Sequence, residues 1–576
     1  MVLRWLAVLF ASVFLVGCLL PAVRAAVQDE DKGEKVYADL VLLNGAIYTM
    51  DAARSWAQAL AIRNGKLIYV GTTSGARQLC NGQTKVVDLA GKMVLPGLHD
   101  THVHLIDGGV EANHCDLARI ETKEGVLAKI AQYAAAHPDA QWIRGGGWVQ
   151  PIFPDGNPQA ADLDKVVPDR PVYLESQDHH SAWANSRALS IAGINAQTTD
   201  PKDGHIERRK GTQEPSGTLR EGAMELVADH LPKLTAQDYE DGLKRAVKLA
   251  HQLGITSIQD AAVDEELLKT YAGADRRGDL NLKVVTALRV VPEQGLTQVD
   301  KFVEQRKQFD GKLVRVRAAK IFIDGVIEDH TAALLEPYTD KPKSRGNLLF
   351  TEKEFADLVA KLVDNNFQVH VHAIGDGGVH TALNGFAAVK ALSQEKQLRH
   401  HIAHLELVDE DDIARFRSVG VSPNVQAYWA QRDKYISELT EPFVGKKRSQ
   451  RLYPIKKLAD CGSVLTAGSD WPVSSLNPFD AIEVAITRKR EGDKSGESWL
   501  PDLRTDLETM LAAYTIGGAY VNHEDDQTGS LEIGKAADLI VIDRDLFAIE
   551  PEAIHATQVE MTILDGRVVY DRHAAP

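Results

Sequence analysis

The sequence predicts an α/β protein built on a (β/α)8 TIM-like barrel, with a small β-sandwich and a large insertion after the first barrel strand. Apolar strand-like runs alternate with amphipathic helical stretches through the middle of the chain, a pattern typical of βα units around a parallel sheet. Both ends of the chain consist instead of short strands and turns. Because chain ends often lie close together, we expect the two ends to build one β-sandwich.

The barrel prediction depends on eight apolar runs that fit strands: residues 94–98, 254–259, 283–290, 314–323, 367–373, 400–407, 419–425 and 463–468. Eight parallel strands that alternate with helices close into a barrel of about 250 residues. The predicted barrel region, residues 93–526, is much longer, and most of the excess lies at about 106–245. A segment of that length is too long for a loop, so we expect an inserted subdomain there.

The predicted sandwich combines residues 36–92 with residues 527–575. Each part contains a hairpin pattern, which turns at Asn64-Gly65 near the amino end and at Asp565-Gly566 near the carboxyl end. Asn-Gly and Asp-Gly are the dipeptides that tight hairpin turns favour. The shared pattern supports one composite sandwich.

Residues 1–26 have the pattern of a secretion signal. Arg4 supplies positive charge, the run that ends at Leu20 is apolar, and Val23-Arg24-Ala25 offers a small-residue cleavage site. We expect export to the periplasm or secretion, with a lipoprotein anchored through Cys18 as the second choice. No later segment reaches about 18 uninterrupted apolar residues, so we expect no integral membrane span in the mature chain.

Acidic residues outnumber basic ones, 81 to 65, which gives a formal net charge of −16. This balance argues against nucleic-acid binding through a general basic surface. Once the signal is removed, Cys80, Cys115 and Cys461 remain, too widely spaced for a disulfide framework or a zinc ribbon. A single disulfide among them and the oligomeric state stay open.

The prediction of a metal site begins at His102 and His104, which come directly after an apolar run. In an extended strand, residues two apart point to the same face, so both imidazoles can reach one ion. Imidazole with neighbouring carboxylates favours zinc or another first-row divalent ion. In a chain with 20 histidines the pair alone is a weak signal, and only further candidate ligands at the ends of later strands make it a strong one.

Residues of metal-binding type stand at the ends of four later predicted strands: Lys320, His372, His404 and Asp470. Active sites of barrels form at the carboxyl ends of the strands, so we expect these side chains to meet His102 and His104. His370 shares a face with His372 but lies about 6.6 Å further back along the strand. We therefore expect His370 to pack behind the site.

Lys320 has two interpretations. As an ordinary ammonium it could pair with Asp324 or Asp470. Beside divalent cations, burial and charge must lower the pKa of Lys320 from about 10.4. The neutral amine could then take up carbon dioxide as a carbamate, an anion able to bridge two metal ions.

These residues, in this strand order, resemble the metal ligands of the amidohydrolase superfamily. Further stretches are similar to its amidohydrolase-3 branch, which includes N-substituted formamide deformylase-like enzymes. These stretches are Leu95–His104, Asp178–Ser186, Gly254–Ser257, His372–Asp376, Gly468–Pro472 and Gly534–Leu539. The likeness covers about residues 38–572, which is nearly the whole mature chain.

The resemblance implies a metal-dependent hydrolase that acts on carbon–nitrogen bonds other than peptide bonds. It implies a first ion held by His102, His104, His372 and Asp470. In a binuclear form, Lys320 and His404 would hold a second ion. Water activated by metal would attack an amide carbonyl, while Asp470 takes up a proton and passes it to the departing nitrogen.

The expected substrate is a small N-acyl or N-formyl amide. Tryptophans occur in the insertion and after the last two barrel strands, as Trp429 does, which favours an apolar or aromatic substituent. The candidates for substrate contact are Trp148, Trp183, Trp471 and His180. The alternative for each tryptophan is that it packs the insertion on the barrel.

Other functions stay open at this stage, because a fold alone does not decide the reaction. The protein could be a mononuclear deaminase or a cyclic-amide hydrolase, with Lys320 an ordinary lysine. It could also be a lactonase or esterase, because metal hydroxide attacks esters too. From another class, it could be a non-catalytic metal- or ligand-binding envelope protein. Turnover that a chelator abolishes would separate an enzyme from a binding protein.

Overall fold

The structure, a computed structural model, describes residues 36–118 and 120–574. The predicted signal at residues 1–26, with Cys18, lies outside the described residues. Within the described ranges, no helix has the length and apolar character needed to cross a membrane. The three cysteines of this part of the chain are all free thiols.

The centre of the molecule is a sheet of eight parallel strands in which each strand pairs with the next one along the chain. These strands, numbered β1 to β8, are Leu98–Val103, Ile255–Val263, Lys283–Arg289, Val314–Phe322, Gln368–Ala373, His401–His404, Ser422–Val425 and Thr466–Ala467. Their side chains are mostly buried on both faces, because helices cover the outside and side chains fill the interior. The predicted (β/α)8 barrel is confirmed.

Hydrogen bonds bring the two edge strands, β1 and β8, together. The hydroxyl of Thr101 lies 2.8 Å from that of Thr466 and donates to the carbonyl oxygen of Ala467 at 2.9 Å. The backbone N–H of Asp470 donates to the carbonyl oxygen of His102 at 2.7 Å. The contact that nearly closes the barrel therefore also fixes Asp470 beside His102.

Helices surround the barrel and several begin at a capping residue. The hydroxyl of Thr351 accepts from the N–H of Glu354 at 3.2 Å, and the Glu354 carboxylate accepts from the N–H of Thr351 at 2.9 Å. The helices around the barrel are Leu105–Glu111, Ala236–Gln252, Glu265–Arg277, Gln298–Phe309, Glu352–Asp364, Asp376–Glu395, Glu410–Val419, Glu441–Arg448, Ile455–Asp460, Pro478–Thr487, Leu507–Ala512 and Gly518–Val521.

The first barrel strand differs from the prediction of residues 94–98. Met93–Pro96 pairs with a strand near the carboxyl end of the chain, and the barrel strand proper is Leu98–Val103. Gly97 makes the crossing between the two sheets: a Cβ there would lie 2.2 Å from Oγ1 of Thr256. One continuous apolar run therefore serves two sheets, which places His102 within β1 rather than after it.

Two further sheets are built from the chain ends. One has the strand order Lys66–Gly71, Ala59–Arg63, Leu40–Leu43 and Lys85–Asp88, with the helix Thr73–Arg77 beside it. The other unites both ends, in the order Arg567–Asp571, Val559–Leu564, Leu539–Ile542, Met93–Pro96, Ala46–Tyr48 and Trp56–Ala57. Leu42, Leu60 and Leu539 share one apolar core between these sheets. The exact domain limits stay a prediction.

A fourth sheet lies between β1 and β2 along the chain. Its strand order is Gly204–Arg208, Pro215–Glu221, Ser181–Ala184, Val172–Ser176, Ile143–Trp148 and Cys115–Asp116. The helices of this region are Lys123–Ala136, Ala160–Val166, Ser186–Ile191 and Glu225–Ala228. The region has apolar clusters of its own, distinct from the core of the barrel.

Candidate active site

His102 and His104 converge on the carboxylate of Asp470. His102 lies in β1 and His104 directly follows that strand, while Asp470 follows β8. Nε2 of His102 lies 3.3 Å from Oδ1 of Asp470, and Nε2 of His104 lies 3.2 Å from the same oxygen. Three side chains that the sequence predicts as partners therefore meet at one atom.

The surroundings of Asp470 favour its ionised form. Burial would raise the pKa of Asp470, but charge and hydrogen bonding from His102, with a hydrogen bond from His104, outweigh burial and hold that pKa well below its usual value. The backbone of Asp470 has a φ of 55°, in the left-handed region that aspartate tolerates. The residue is thus held as a carboxylate at the rim of the barrel.

His404 and His372 complete the cluster from β6 and β5. Nδ1 of His404 lies 3.8 Å from Oδ2 of Asp470, and the rings of His404 and His372 are 4.4 Å apart. Nε2 of His372 faces the carbonyl oxygen of Gly325 at 3.2 Å. The resemblance grouped His372 with the first ion, whereas in the structure His404 lies closer than His372 to the carboxylate of Asp470.

Lys320 lies inside the same cluster. Its Nζ is 3.2 Å from Nε2 of His102 and 4.7 Å from the centre of the Phe322 ring, and the side chain has no exposed surface. Burial lowers the pKa of Lys320 to about 7, although the charge of Asp470 opposes this shift. A substantial part of the population therefore carries a neutral amine at neutral pH.

Asp324 does not pair with Lys320, which was one interpretation of the sequence. The Asp324 carboxylate accepts backbone N–H bonds from Ala333, Ile374 and Gly375 at 2.9, 3.1 and 2.9 Å. These bonds tie the loop after β4 to the loop after β5. Asp324 therefore shapes the backbone around His372.

The donor set fits a divalent metal ion. One donor atom from each of His102, His404 and Asp470 lies within 4.8 Å of the others. Nδ1 of His404 is buried and has no hydrogen-bond partner in the described chain. An unpaired buried polar atom is costly, and coordination by a cation would satisfy it. Nitrogen and carboxylate ligands of this kind suit zinc.

His180 approaches the site from the insertion. Its ring lies 6.4 Å from that of His372, and its Nδ1 lies 3.0 Å from Oε2 of Glu221. The hydroxyl of Thr331 donates to the other oxygen of Glu221 at 3.0 Å. Burial lowers the pKa of His180, but the Glu221 carboxylate outweighs it and raises the pKa to about 10, so the imidazole is protonated at neutral pH.

The structure corrects the prediction that Trp148 and Trp183 contact the substrate. Trp148 and Trp183 have no exposed surface and pack in the apolar core of the insertion, where Nε1 of Trp148 donates to the carbonyl oxygen of Leu174 at 2.9 Å. A fully buried ring offers no surface to a substrate. These two residues fit the alternative, in which tryptophans pack the insertion.

The other tryptophans lie beside the cluster. The N–H of His104 donates to the carbonyl oxygen of Trp471 at 2.9 Å, and the partly exposed Trp471 ring packs close to Gly108. Trp429 stacks on the ring of His404, with centroids 5.4 Å apart and an interplanar angle of 4°. Trp429 is not among the substrate-contact candidates predicted from the sequence. Its position soon after β7 is the sequence feature that could have indicated a place beside the site.

The structure brings together all six residues predicted as metal ligands: His102, His104, Lys320, His372, His404 and Asp470. Their roles as ligands stay a prediction. Sequence reasoning missed the partnership of His180 with Glu221, because the two residues are 41 positions apart and meet only through strand pairing.

Fold and site together define a hydrolase with a candidate metal centre at the carboxyl ends of the barrel strands. Residues 85–570 match the model described as "Amidohydrolase family", and the chain belongs to that family. The predicted amidohydrolase-3 branch is confirmed. The protein is thus a metal-dependent hydrolase of carbon–nitrogen bonds, as the sequence predicts.

Similar proteins extend over nearly the whole chain. Protein LONG AFTER FAR-RED 3 of Arabidopsis thaliana is 29% identical over 93% of this chain and 92% of its own length. N-substituted formamide deformylase of Arthrobacter pascens is 27% identical over 93% of this chain and 98% of its own. An uncharacterized metal-dependent hydrolase from Pyrococcus horikoshii has a crystal structure with a TM-score of 0.71 at 27% identity, covering 89% of this chain and 99% of that one.

Proposed function

We propose that the protein is an exported, zinc-dependent amidohydrolase that cleaves a small N-acyl or N-formyl amide. The observation that carries this proposal is the convergence of His102 and His104 on Oδ1 of Asp470, at 3.3 and 3.2 Å. The likeness to N-substituted formamide deformylase, 27% identical over 93% of the chain, supports an N-formyl or N-acyl amide. Zinc is chosen because the donors are imidazoles and a carboxylate.

The bound zinc would acidify a water molecule and polarise the amide carbonyl. Asp470 would accept a proton from the attacking water, because the low pKa of this residue keeps the carboxylate ionised. As the carbon–nitrogen bond breaks, Asp470 returns the proton to the nitrogen, which departs as an amine. Its position against the backbone of His102, 2.7 Å from N to O, keeps the carboxylate aimed at the cluster.

His180 is suited to orient the substrate. Because Nδ1 is engaged by Glu221 at 3.0 Å, the Nε2–H of the protonated ring is the donor that remains for a substrate oxygen. A charged donor stabilises negative charge that develops on such an oxygen. Trp429 and Trp471 supply apolar surface for the substituent on nitrogen.

Lys320 is proposed to carry a carbamate in the binuclear form. The neutral amine attacks carbon dioxide, forming a nitrogen–carbon bond and releasing one proton, which converts a neutral amine into an anion. The low pKa of the Lys320 amine, about 7, supports this step because only the free amine is nucleophilic. The anion would offset the positive charge of two cations placed side by side.

The proposal is tested by elemental analysis of the purified protein beside a hydrolysis panel of N-formyl amides, N-acyl amides and cyclic amides. Zinc bound at one or two equivalents, with turnover of an N-formyl or N-acyl amide that a chelator abolishes and zinc restores, is expected. Turnover of cyclic amides alone would favour the alternative hydrolase. No turnover of any member by the zinc-loaded protein would contradict the proposed reaction.

Export is proposed from the predicted signal at residues 1–26. Intact-mass analysis of the protein recovered from the cell envelope or medium is expected to show a chain that begins after residue 26. A lipid-modified amino end at Cys18 would replace this proposal with the lipoprotein alternative. A full-length chain in the cytoplasmic fraction would contradict export.

A further inference from the structure

The ring of His370 lies directly behind that of His102. Nε2 of His370 is 2.9 Å from Nδ1 of His102, and the two rings meet edge to face with centroids 4.7 Å apart. Both side chains are at most 1% exposed. The contact is on the side of His102 opposite the cluster, since Nε2 of His102 faces Lys320 and Asp470.

A histidine that binds metal through one nitrogen normally donates the other N–H to a carboxylate, a backbone carbonyl or water. Here the atom that faces Nδ1 of His102 belongs to a second imidazole. An imidazole nitrogen can accept a hydrogen bond only when it carries no proton. The contact therefore constrains the protons of both rings together.

The contact, together with metal binding by His102, would determine where the protons lie. If His102 uses Nε2 toward metal, its proton must be on Nδ1, which then donates to Nε2 of His370. His370 must in turn carry its own proton on Nδ1. That Nδ1 is buried without a hydrogen-bond partner in the described chain. No neighbour at Nδ1 in that part of the chain therefore favours the other tautomer of His370.

His370 is itself held by His401, whose ring centre is 3.9 Å away. Nε2 of His401 lies 2.8 Å from Oε1 of Gln259, whose amide nitrogen donates to Gln368 at 3.0 Å. The Gln259 oxygen is therefore an acceptor, and His401 carries its proton on Nε2. Nδ1 of His401 then accepts from Asn424 at 3.1 Å, so this supporting ring is neutral and fully bonded.

We propose that His370 is a positioning residue that fixes the tautomer and the orientation of His102, with its Nε2 as the acceptor. The inference rests on the proposed function in one respect, which is that His102 binds the metal through Nε2. His370 does not touch the substrate in this scheme. Its effect passes entirely through His102.

The test compares the zinc affinity of the mature wild-type protein with that of its variants, measured by competition with a chelator of known affinity. His370→Ala removes the acceptor and is expected to weaken zinc binding by about 10- to 100-fold. His370→Gln returns an acceptor oxygen at a similar reach and is expected to restore most of the affinity. His400→Ala is the matched control, because His400 is an equally buried histidine that bonds Ser393 at 2.9 Å and Val369 at 2.9 Å instead.

A second readout is independent of activity and of variant folding. In the zinc-loaded protein, ¹⁵N NMR of the histidine side chains is expected to show His102 protonated at Nδ1 and His370 protonated at Nδ1. A His370 ring protonated at Nε2 would overturn the proposal. So would His370→Ala with wild-type zinc affinity, or an equal loss of affinity in His370→Ala and His400→Ala.

Failure of the proposed function has a different signature. A wild-type protein that binds no zinc, or a His102→Ala variant with unchanged zinc binding, would refute the role of His102 as a ligand. Those results concern His102 and the metal. An unchanged zinc affinity in His370→Ala, or a His370 ring protonated at Nε2, refutes only the positioning role.

Discussion

The amine nitrogen of Lys320 lies 3.2 Å from Nε2 of His102, with both side chains buried in the barrel interior. A protonated amine at this position would repel a cation bound by His102. Burial resolves the conflict, because it lowers the pKa of Lys320 to about 7 and makes the free amine accessible. In the proposed binuclear site, the number of bound ions would therefore depend on Lys320.

We expect Lys320→Ala to lose the second metal ion and keep the first. The carbamate would bridge two ions, whereas His102, His104 and Asp470 would still bind one. Metal per chain, measured by elemental analysis after zinc loading, should fall by about one ion. Lys353→Ala, which removes a lysine side chain that is 84% exposed, is the matched control.

A ¹³C signal from the carbamate, after incubation of the wild-type protein with ¹³C-bicarbonate, should appear and be absent from Lys320→Ala. Equal metal content in both proteins, together with no such signal in the wild type, would show that Lys320 is an ordinary lysine.

Asp470→Asn is expected to keep the fold and remove most turnover. The amide cannot accept a proton, so kcat should fall by about 10²- to 10⁴-fold, the range for loss of general acid–base catalysis. Steady-state kinetics on the best amide of the panel gives the measurement. Asp460→Asn, at a surface carboxylate that is 63% exposed, should leave kcat unchanged. Near-normal kcat in Asp470→Asn would refute the proton-transfer role.

His180→Ala is expected to lower kcat/KM by about 10- to 100-fold, because a charged hydrogen-bond donor to the substrate is lost. Glu221→Gln should act in the same direction and less strongly, since it removes the charge that keeps His180 protonated. The pH profile should separate the two variants. In Glu221→Gln the pKa of His180 is lower than in the wild type, so this variant should lose activity as pH rises towards that pKa. His205→Ala, at a histidine of the insertion that is 54% exposed, is the control.

The strand-end residues could be predicted from the sequence because barrel geometry makes strand ends converge. Approximate strand positions are enough to predict His102, Asp470 and Lys320 as site residues. An error of a few residues in a strand boundary does not change that prediction. The first strand shows this tolerance: the apolar run was assigned to one strand, yet it passes through Gly97 into a second sheet. Apolar character does not tell which sheet a strand joins.

The rest of the site depends on contacts between distant segments, which spacing does not encode. His180 meets Glu221 because Ser181 pairs with Arg220 in antiparallel strands, a register invisible in the sequence. The burial of Trp148 depends in the same way on how the insertion packs on itself. A tryptophan in an insertion has the same sequence signature whether it lines a pocket or fills a core.

Trp148→Phe and Trp471→Phe are expected to separate packing from substrate contact. Trp148→Phe leaves a cavity and removes the hydrogen bond to the Leu174 carbonyl, so the free energy of unfolding should fall by about 2 kcal/mol with KM unchanged. Trp471→Phe should raise KM for amides with apolar substituents and change stability less. Denaturant unfolding and steady-state kinetics measure the two effects. A raised KM in Trp148→Phe would restore it as a substrate contact.

We expect the ion pairs of Glu560, which connect the two ends of the chain, to weaken at acidic pH. Its carboxylate lies 2.6 Å from Nζ of Lys92 and 2.7 Å from Nε2 of His573, so a residue near the carboxyl end is tied to one near the amino end. The hydrogen bond from Lys92, with smaller support from His573 and Arg572, lowers the pKa of Glu560 from 4.5 to about 2.

The direction of that shift sets the sign of the pH effect. A carboxyl whose pKa is lower in the folded chain contributes stability above the unfolded pKa of 4.5 and loses it as pH falls towards 2. Glu560→Gln should therefore be less stable than wild type at pH 7, by about 1 kcal/mol because Lys92 is partly exposed. The difference should shrink between pH 4.5 and 2 in denaturant titrations. Glu550→Gln, which removes an exposed carboxylate earlier in the chain, is the control for the loss of one negative charge, and a pH-independent difference for Glu560→Gln would refute the link.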